Sequence, residues 1–160
     1  MTAGEHAELG EITAQAYLGD GLLDFGESDS YLGELRDVAK RAAAAEVLVA
    51  VEHGALLGGV TFVPGPGPMA DIAERGEAEI RMLAVSGAHR GRGAGEALVR
   101  ACVDRARALG RERMVLSTQR TMHAAHRVYE RLGFTRNPAR DWNPLPELDD
   151  IMLVVYELTL

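Results

Sequence analysis

The order of hydrophobic patterns along these 160 residues predicts a mixed α/β fold, a mostly antiparallel central sheet flanked by helices. Three observations carry that reading. Residues 46–51 and 56–63 are β-branched and apolar, with Glu52-His53-Gly54-Ala55 between them as a short hairpin turn. Residues 5–18 and 96–109 place apolar side chains at helical spacing. Between the strand-like run 80–85 and the second of those helices lies His89-Arg90-Gly91-Arg92-Gly93-Ala94-Gly95, a glycine-rich strand-to-helix junction.

Taken in order, the first helix presents Leu9, Ile12, Ala16 and Tyr17 on one face and is broken by Gly19, Asp20 and Gly21. The cluster Ser28-Asp29-Ser30 offers N-caps for a second helix that runs through Ala45, with Leu32, Leu35, Val38 and Ala39 on one side. The hairpin follows. Pro64-Gly65-Pro66-Gly67-Pro68 then removes backbone donors and ends the strand, so residues 64–75 are expected to form a mobile surface excursion bordering a substrate entrance. Residues 77–85 resume as a strand. After the glycine loop comes a helix with Leu98, Cys102, Ala106 and Leu109 in line and Gly110 as its stop. Residues 113–118 read as a buried strand and 122–132 as a short helix ended by Gly133. Phe134 opens an extended segment, 138–150 is an acidic, proline-containing loop, and 151–160 is a closing strand. No repeat or linker interrupts the series, so residues 1–160 are expected to be one domain.

Composition narrows the function classes. A formal net charge of -7 argues against a nucleic-acid binder, which needs a broad basic face. One cysteine, Cys102, excludes an intrachain disulfide and a cysteine-rich zinc site and fits a reducing cytoplasm. Residues 1–10 lack the basic start and apolar stretch of a signal peptide, and the most apolar region, 42–63, is interrupted by Glu46, Glu52, His53 and Gly54, so no membrane span is expected. Arginine almost entirely replaces lysine, Lys40 being the only one, which hints at a GC-rich bacterial genome.

The glycine loop is a phosphate cradle by its chemistry. Three glycines allow a tight turn with N–H groups pointing inward, the following helix start adds partial positive charge, and Arg90 and Arg92 add full charges. The better-known phosphate loops do not fit it. A dinucleotide fingerprint begun at Gly91 meets Glu96 where glycine is needed, and one begun at Gly93 meets Leu98. A P-loop needs lysine and then serine or threonine after its last glycine, where this chain has Glu96 and Ala97. What remains, Arg90 to Gly95, reads RxxGxG. In that form it resembles the acyl-coenzyme A loop of the GNAT superfamily of N-acetyltransferases, and Ala125-His126-Arg127-Val128-Tyr129-Glu130-Arg131-Leu132-Gly133-Phe134 resembles the AxxLYxxxGF helix of the same family. The likeness is strongest over residues 79–134. Two departures stand out: Met122 replaces the asparagine that usually opens the second motif, and residues 1–8 are too polar for the strand that usually precedes the first helix.

The resemblance implies a splayed parallel strand pair, 79–85 and 113–118, with acetyl-CoA as co-substrate wedged between. Backbone groups of Leu83, Ala84 and Val85 would pair with the pantetheine and thioester as if with another strand, and Arg90, Gly91, Arg92, Gly93, Ala94 and Gly95 would hold the pyrophosphate. A backbone N–H near Leu83 would steady an oxyanion. Tyr129 is the implied general acid, since a phenol of pKa about 10 can protonate a leaving thiolate of about 8.5. Its other reading is a core tyrosine on an apolar helix face. Glu79, in an AEI-x-x-x-A-x-S setting like that of the histone-acetylating branch, is the candidate base that frees the acceptor amine; equally, Arg81 would neutralise it in a structural pair. Strand alternation puts Glu79 on one face with Arg81, Leu83 and Val85.

The implied activity is transfer of an acetyl group to a primary amine by direct attack in a ternary complex, in the cytoplasm, with no metal. The acceptor, a small molecule or a protein, is not specified by any pattern, and a homodimer through the last strands is a family expectation. The alternative of another class is a non-catalytic acyl-CoA-binding sensor or interaction module. A nucleotide-binding protein using the same loop is a third. His123 and His126, three apart, lack a carboxylate or cysteine partner at metal-ligand spacing. The acidic residues Asp141, Glu147, Asp149 and Asp150 either attract a cationic amine or form a solvated loop, and Trp142 either walls a pocket or anchors that loop.

Overall fold

The computed structural model describes residues 3–19, 31–91, 93–145 and 152–160. The first apolar stripe forms helix α1 (Ala3–Gly19), and no strand precedes it among the described residues. The expected second helix is two helices, α2 (Tyr31–Arg36) and α3 (Val38–Ala44). Asp37 divides them. Its N–H donates back to Gly33 O at 3.1 Å to close α2, while its carboxylate accepts from Lys40 N at 3.1 Å and caps α3. The Ser28-Asp29-Ser30 cluster lies outside the described residues.

Strands β1 (Glu46–Glu52) and β2 (Ala55–Val63) form the hairpin, turning at His53 (φ 51°) and Gly54 (φ 79°). Two consecutive left-handed residues match the twist of the flanking strands. The remaining elements are β3 (Glu77–Val85), α4 (Ala94–Ala108), β4 (Arg113–Gln119), α5 (His123–Arg131), β5 (Thr135–Arg136) and β6 (Leu153–Thr159). Among the described residues six strands lie in the order β1-β2-β3-β4-β6-β5, and only β3 and β4 are parallel.

Helices cover both faces. Leu98, Val99, Cys102 and Ala106 of α4 and Tyr129 of α5 pack with Val60, Phe62, Ile80, Met114 and Leu116 from the sheet. On the other face Ala14, Leu32 and Leu35 surround Met82, and Leu9 and Val38 cover Leu56. α1 meets α2 closely at Gly10, where a Cβ would lie 2.5 Å from the Arg36 carbonyl oxygen.

The segment between β2 and β3 is not the loose excursion expected from its prolines. Arg111 Nε donates to Pro64 O at 2.5 Å, Arg81 Nη1 to Met69 O at 2.8 Å and Arg140 Nη2 to Ile72 O at 3.0 Å. Glu79 Oε1 accepts the backbone N–H groups of Asp71, Ile72 and Ala73 at 2.9, 2.9 and 3.0 Å. Prolines dictate that a segment leaves the sheet, not that it is unattached. Trp142 resolves to the anchoring role: its N–H and C=O both pair with Leu153, and its indole Nε1 donates to Ser117 Oγ at 2.9 Å. Asp141 is occupied by Arg136 at 3.0 Å and by the Val155 N–H at 3.0 Å, while Glu147, Asp149 and Asp150 lie outside the described residues.

Candidate active site

The parallel pair opens. β3 and β4 are in register from Glu77↔Arg113 to Ile80↔Leu116 and no further, although β3 continues to Val85 and β4 to Gln119. The backbone groups of 81–85 that point away from β2 therefore have no strand partner among the described residues. A bulge sits at the opening: between Thr61↔Arg81 and Gly59↔Ala84, Val60 faces both Met82 and Leu83. Met82 adopts φ 53°, a left-handed conformation costly for a non-glycine residue.

The bulge corrects the expected alternation. Met82 joins the α1/α2 side with Ala14 and Leu35, and Leu83 packs into the α4 side with Ile80. Glu79 and Arg81 therefore do not share a face with Leu83. Val85 follows it, its Cγ2 3.7 Å from where a Cβ on Gly95 would sit.

The glycine loop sits directly beyond the opening. Gly91 (φ 84°) and Gly93 (φ 77°) are left-handed, and nothing lies within 4 Å of a Cβ built on either. Conformation rather than crowding requires glycine there. The first bond inside α4 runs from Ala97 N to Gly93 O at 3.0 Å, and no side chain caps the helix. The N–H groups of Ala94, Gly95 and Glu96 thus have no intrahelical acceptor and face the loop as anion donors. Glu96, which would repel an anion, is neutralised by Arg131 at 2.9 Å and Arg100 at 3.7 Å. Arg90 is exposed beside the loop and lines an open groove against Glu8, Glu11 and Gln15 of α1. Arg92 lies outside the described residues.

Tyr129 stands at 4% exposure, its ring 5.9 Å from Phe134 and 5.7 Å from Tyr156 by centroids. Burial pushes its phenol well above the ordinary value, and the neighbouring Cys102 and Tyr156 push the same way. The proton therefore stays on at neutral pH. Among the described residues its hydroxyl has no hydrogen-bond partner. Met122 occupies the N-cap of α5, where its Sδ accepts the Thr118 hydroxyl at 3.5 Å. His126 Nε2 is engaged with Gln119 O at 3.0 Å, and burial lowers the imidazole pKa.

A polar cluster on the α1/α2 side was not legible in the sequence. Arg81, the first residue of β3 past the last rung, donates through Nη2 to Tyr31 Oη at 3.2 Å and places Nε 3.0 Å from Asp71 Oδ2. These partners lie 50 and 10 residues away, beyond any local pattern. Glu79 is fully buried; its Oε2 has no hydrogen-bond partner among the described residues, and burial raises its pKa against the pull of the Ile72 and Ala73 N–H groups. The carboxylate read from sequence as the candidate base also ties residues 71–73 to the sheet through the three N–H groups it accepts.

Residues 11–134 match the model of the acetyltransferase (GNAT) family. The chain belongs to that family. Its GNAT fold is shared by yncA of Salmonella typhimurium, solved with its cofactor acetyl-CoA, at 24% identity and TM-score 0.73 over 100% of this chain and 91% of that one. It is shared by the ribosomal-protein-alanine N-acetyltransferase of Brucella melitensis, at 18% identity and TM-score 0.74 over 100% and 97%. The PaiA N-acetyltransferase of Thermoplasma acidophilum, in complex with coenzyme A, aligns at 15% identity and TM-score 0.73 over 100% and 96%. A comparison with curated proteins finds no match. The opened end of the β3–β4 pair runs directly into the glycine loop, while Glu79, before the opening, is held by the backbone N–H groups of 71–73.

Proposed function

We propose that residues 1–160 form one N-acetyltransferase domain that moves the acetyl group of acetyl-CoA to a primary amine by direct attack in a ternary complex. The observation that carries this reading is the end of β3–β4 pairing at Ile80↔Leu116, immediately before a loop of left-handed glycines and uncapped helix N–H groups. An acyl-CoA fits those features: an amide-bearing arm needs unpaired strand groups, and a pyrophosphate needs converging donors. Leu83, Ala84 and Val85 would hold the pantetheine, and Arg90, Gly91, Arg92, Gly93, Ala94 and Gly95 the pyrophosphate. Acetyl-CoA bound there would supply an activated thioester carbonyl. Two of the structures that share the fold carry acetyl-CoA or coenzyme A, which supports the choice of co-substrate.

Tyr129 serves as the acid, its proton retained at neutral pH and its hydroxyl without a hydrogen-bond partner among the described residues, so that it is available to the departing sulfur. Cys102 is unsuited to a covalent route, being fully buried with its thiol pushed up to about 12 by desolvation. No helix among the described residues is long and apolar enough to cross a membrane, which is compatible with the cytoplasmic setting we assign.

Calorimetric titration of acetyl-CoA, with ATP as the control, tests the reading. Micromolar binding is expected for acetyl-CoA and at least about 100-fold weaker binding for ATP, because the donors of the cradle serve both but the opened strand serves only the pantetheine. Equal affinity for both would overturn it. Binding without thiol release across a broad amine panel would instead favour the sensor reading. Gly93→Ala is expected to weaken acetyl-CoA about tenfold, since φ 77° strains any side chain by about 1–2 kcal/mol and relaxation turns the loop donors away; unchanged affinity would remove the loop from the site.

A further inference from the structure

Resting on the acetyltransferase reading, we propose that Asp71 is the carboxylate that docks the acceptor's ammonium and takes its proton. The two carboxylates near the opening differ in access. Glu79 has no exposed surface and spends Oε1 on three backbone N–H groups, whereas the Asp71 side chain is 34% exposed. Asp71 Oδ2 is ion-paired with Arg81 Nε at 3.0 Å, and Oδ1 accepts no hydrogen bond among the described residues. One oxygen is held and the other is presented, an arrangement suited to receiving a cation from solvent. The position is right as well. Arg81 is the first residue past the last β3–β4 rung, so it hangs Asp71 at the mouth of the opening, beside the Tyr31 hydroxyl it also binds. The Tyr31 ring in turn lies tilted against Tyr17 at 6.4 Å, so aromatic side chains of α1 and α2 wall the Asp71 side of the mouth.

Among the described residues the charged groups that interact with Asp71 are Arg81 and Glu79, with Tyr31 as the neighbouring titratable side chain. Burial outweighs the Arg81 guanidinium and holds the Asp71 carboxyl above its ordinary value, which makes it a better proton acceptor. In the step, the ammonium gives one proton to Asp71 Oδ1. The freed lone pair forms the C–N bond, the C–S bond breaks, and the sulfur takes the Tyr129 proton. The nitrogen's second proton restores the phenol, and the proton on Asp71 leaves to water.

Two measurements test this. The first follows kcat/KM against pH, by thiol release, with acetyl-CoA and 2-phenylethylamine. The intact protein is expected to show a plateau between the Asp71 and amine pKa values. Asp71→Asn should fall about 100-fold at neutral pH and climb with unit slope toward the amine pKa, with acetyl-CoA affinity unchanged. Asp71→Glu should recover part of the plateau. Glu79→Gln should lose thermal stability and turnover yet keep the plateau. An Asn variant that keeps the plateau, or a Gln variant that loses it, overturns the proposal. The second measurement needs no turnover: carbon-13 carboxyl shifts of the unliganded protein are titrated with n-butylammonium chloride. The Asp71 signal is expected to move and the Glu79 signal to stay. A still Asp71 signal in protein that binds acetyl-CoA overturns the proposal alone, whereas failure to bind acetyl-CoA overturns the acetyltransferase reading beneath it.

Discussion

With Tyr129 as the proposed general acid, Tyr129→Phe is expected to lower kcat by roughly 10²–10³ while acetyl-CoA affinity stays within about twofold, the scale for removing one acid from an otherwise intact site. The substitution is clean because of where the hydroxyl sits. The ring is packed against Phe134 and Tyr156 and keeps those contacts as phenylalanine, and among the described residues the hydroxyl lost has no hydrogen bond to leave broken. Thermal stability is therefore expected to change little. The phenol's raised pKa adds a second signature: deprotonation lies far above neutrality, so no basic limb near pH 9 belongs to Tyr129. Steady-state kinetics with calorimetry on the same variant decides it. A large loss of affinity with intact turnover would make Tyr129 a packing residue and leave the acid unassigned.

Glu77→Gln is expected to cost roughly 3–5 kcal/mol of stability, the usual scale when one partner of a buried ionic network is removed, which lowers Tm by about 10 °C. Glu77 is 2% exposed and begins the β3–β4 pair. Arg140 grips both its oxygens at 2.9 Å, Arg113 reaches Oε2 at 3.0 Å, and Glu74 N–H donates to Oε1 at 3.0 Å. The network clamps the closed end of the pair whose other end opens. Burial pushes the Glu77 carboxyl up, but Arg140, the Glu74 N–H and Arg113 together outweigh it and hold the group at about 2. Because the folded pKa lies below the unfolded one, this contribution is full above about pH 4.3 and is lost as pH falls toward 2. Thermal melts from pH 7 to 2.5 should show the difference between the native protein and Glu77→Gln shrinking on the acid side. A gap that persists at pH 2.5 would mean the loss is one of packing.

Much of the site could be read from local signals. Gly91 and Gly93 announce a backbone with positive φ, and the run of apolar residues on either side announces a strand and a helix. The spacing of Val128, Tyr129 and Leu132 puts the tyrosine on the buried face of its helix. Other features had no local signal. Asp37 splits a helix whose apolar stripe continues unbroken through it, so periodicity alone runs the two together. Met82 carries no mark of a left-handed residue, and the bulge there inverts which side chains face the cofactor opening. The prolines of 64–68 told correctly of a departure from the sheet and wrongly of freedom, because the groups that fasten the segment are Glu79, Arg81, Arg111 and Arg140, all distant in the chain.

The order and type of most elements, the glycine loop and the tyrosine helix follow from the residues alone, because these depend on periodicity, on glycine's access to positive φ and on chemistry within a few residues. Only the tertiary structure decided what each carboxylate does. Asp71, Glu77 and Glu79 lie within nine residues and are the same functional group, yet one is presented to solvent, one is ion-paired and one is sealed under a loop. Their states are set by desolvation and by partners as far as 63 residues away, and both are properties of the packed chain alone.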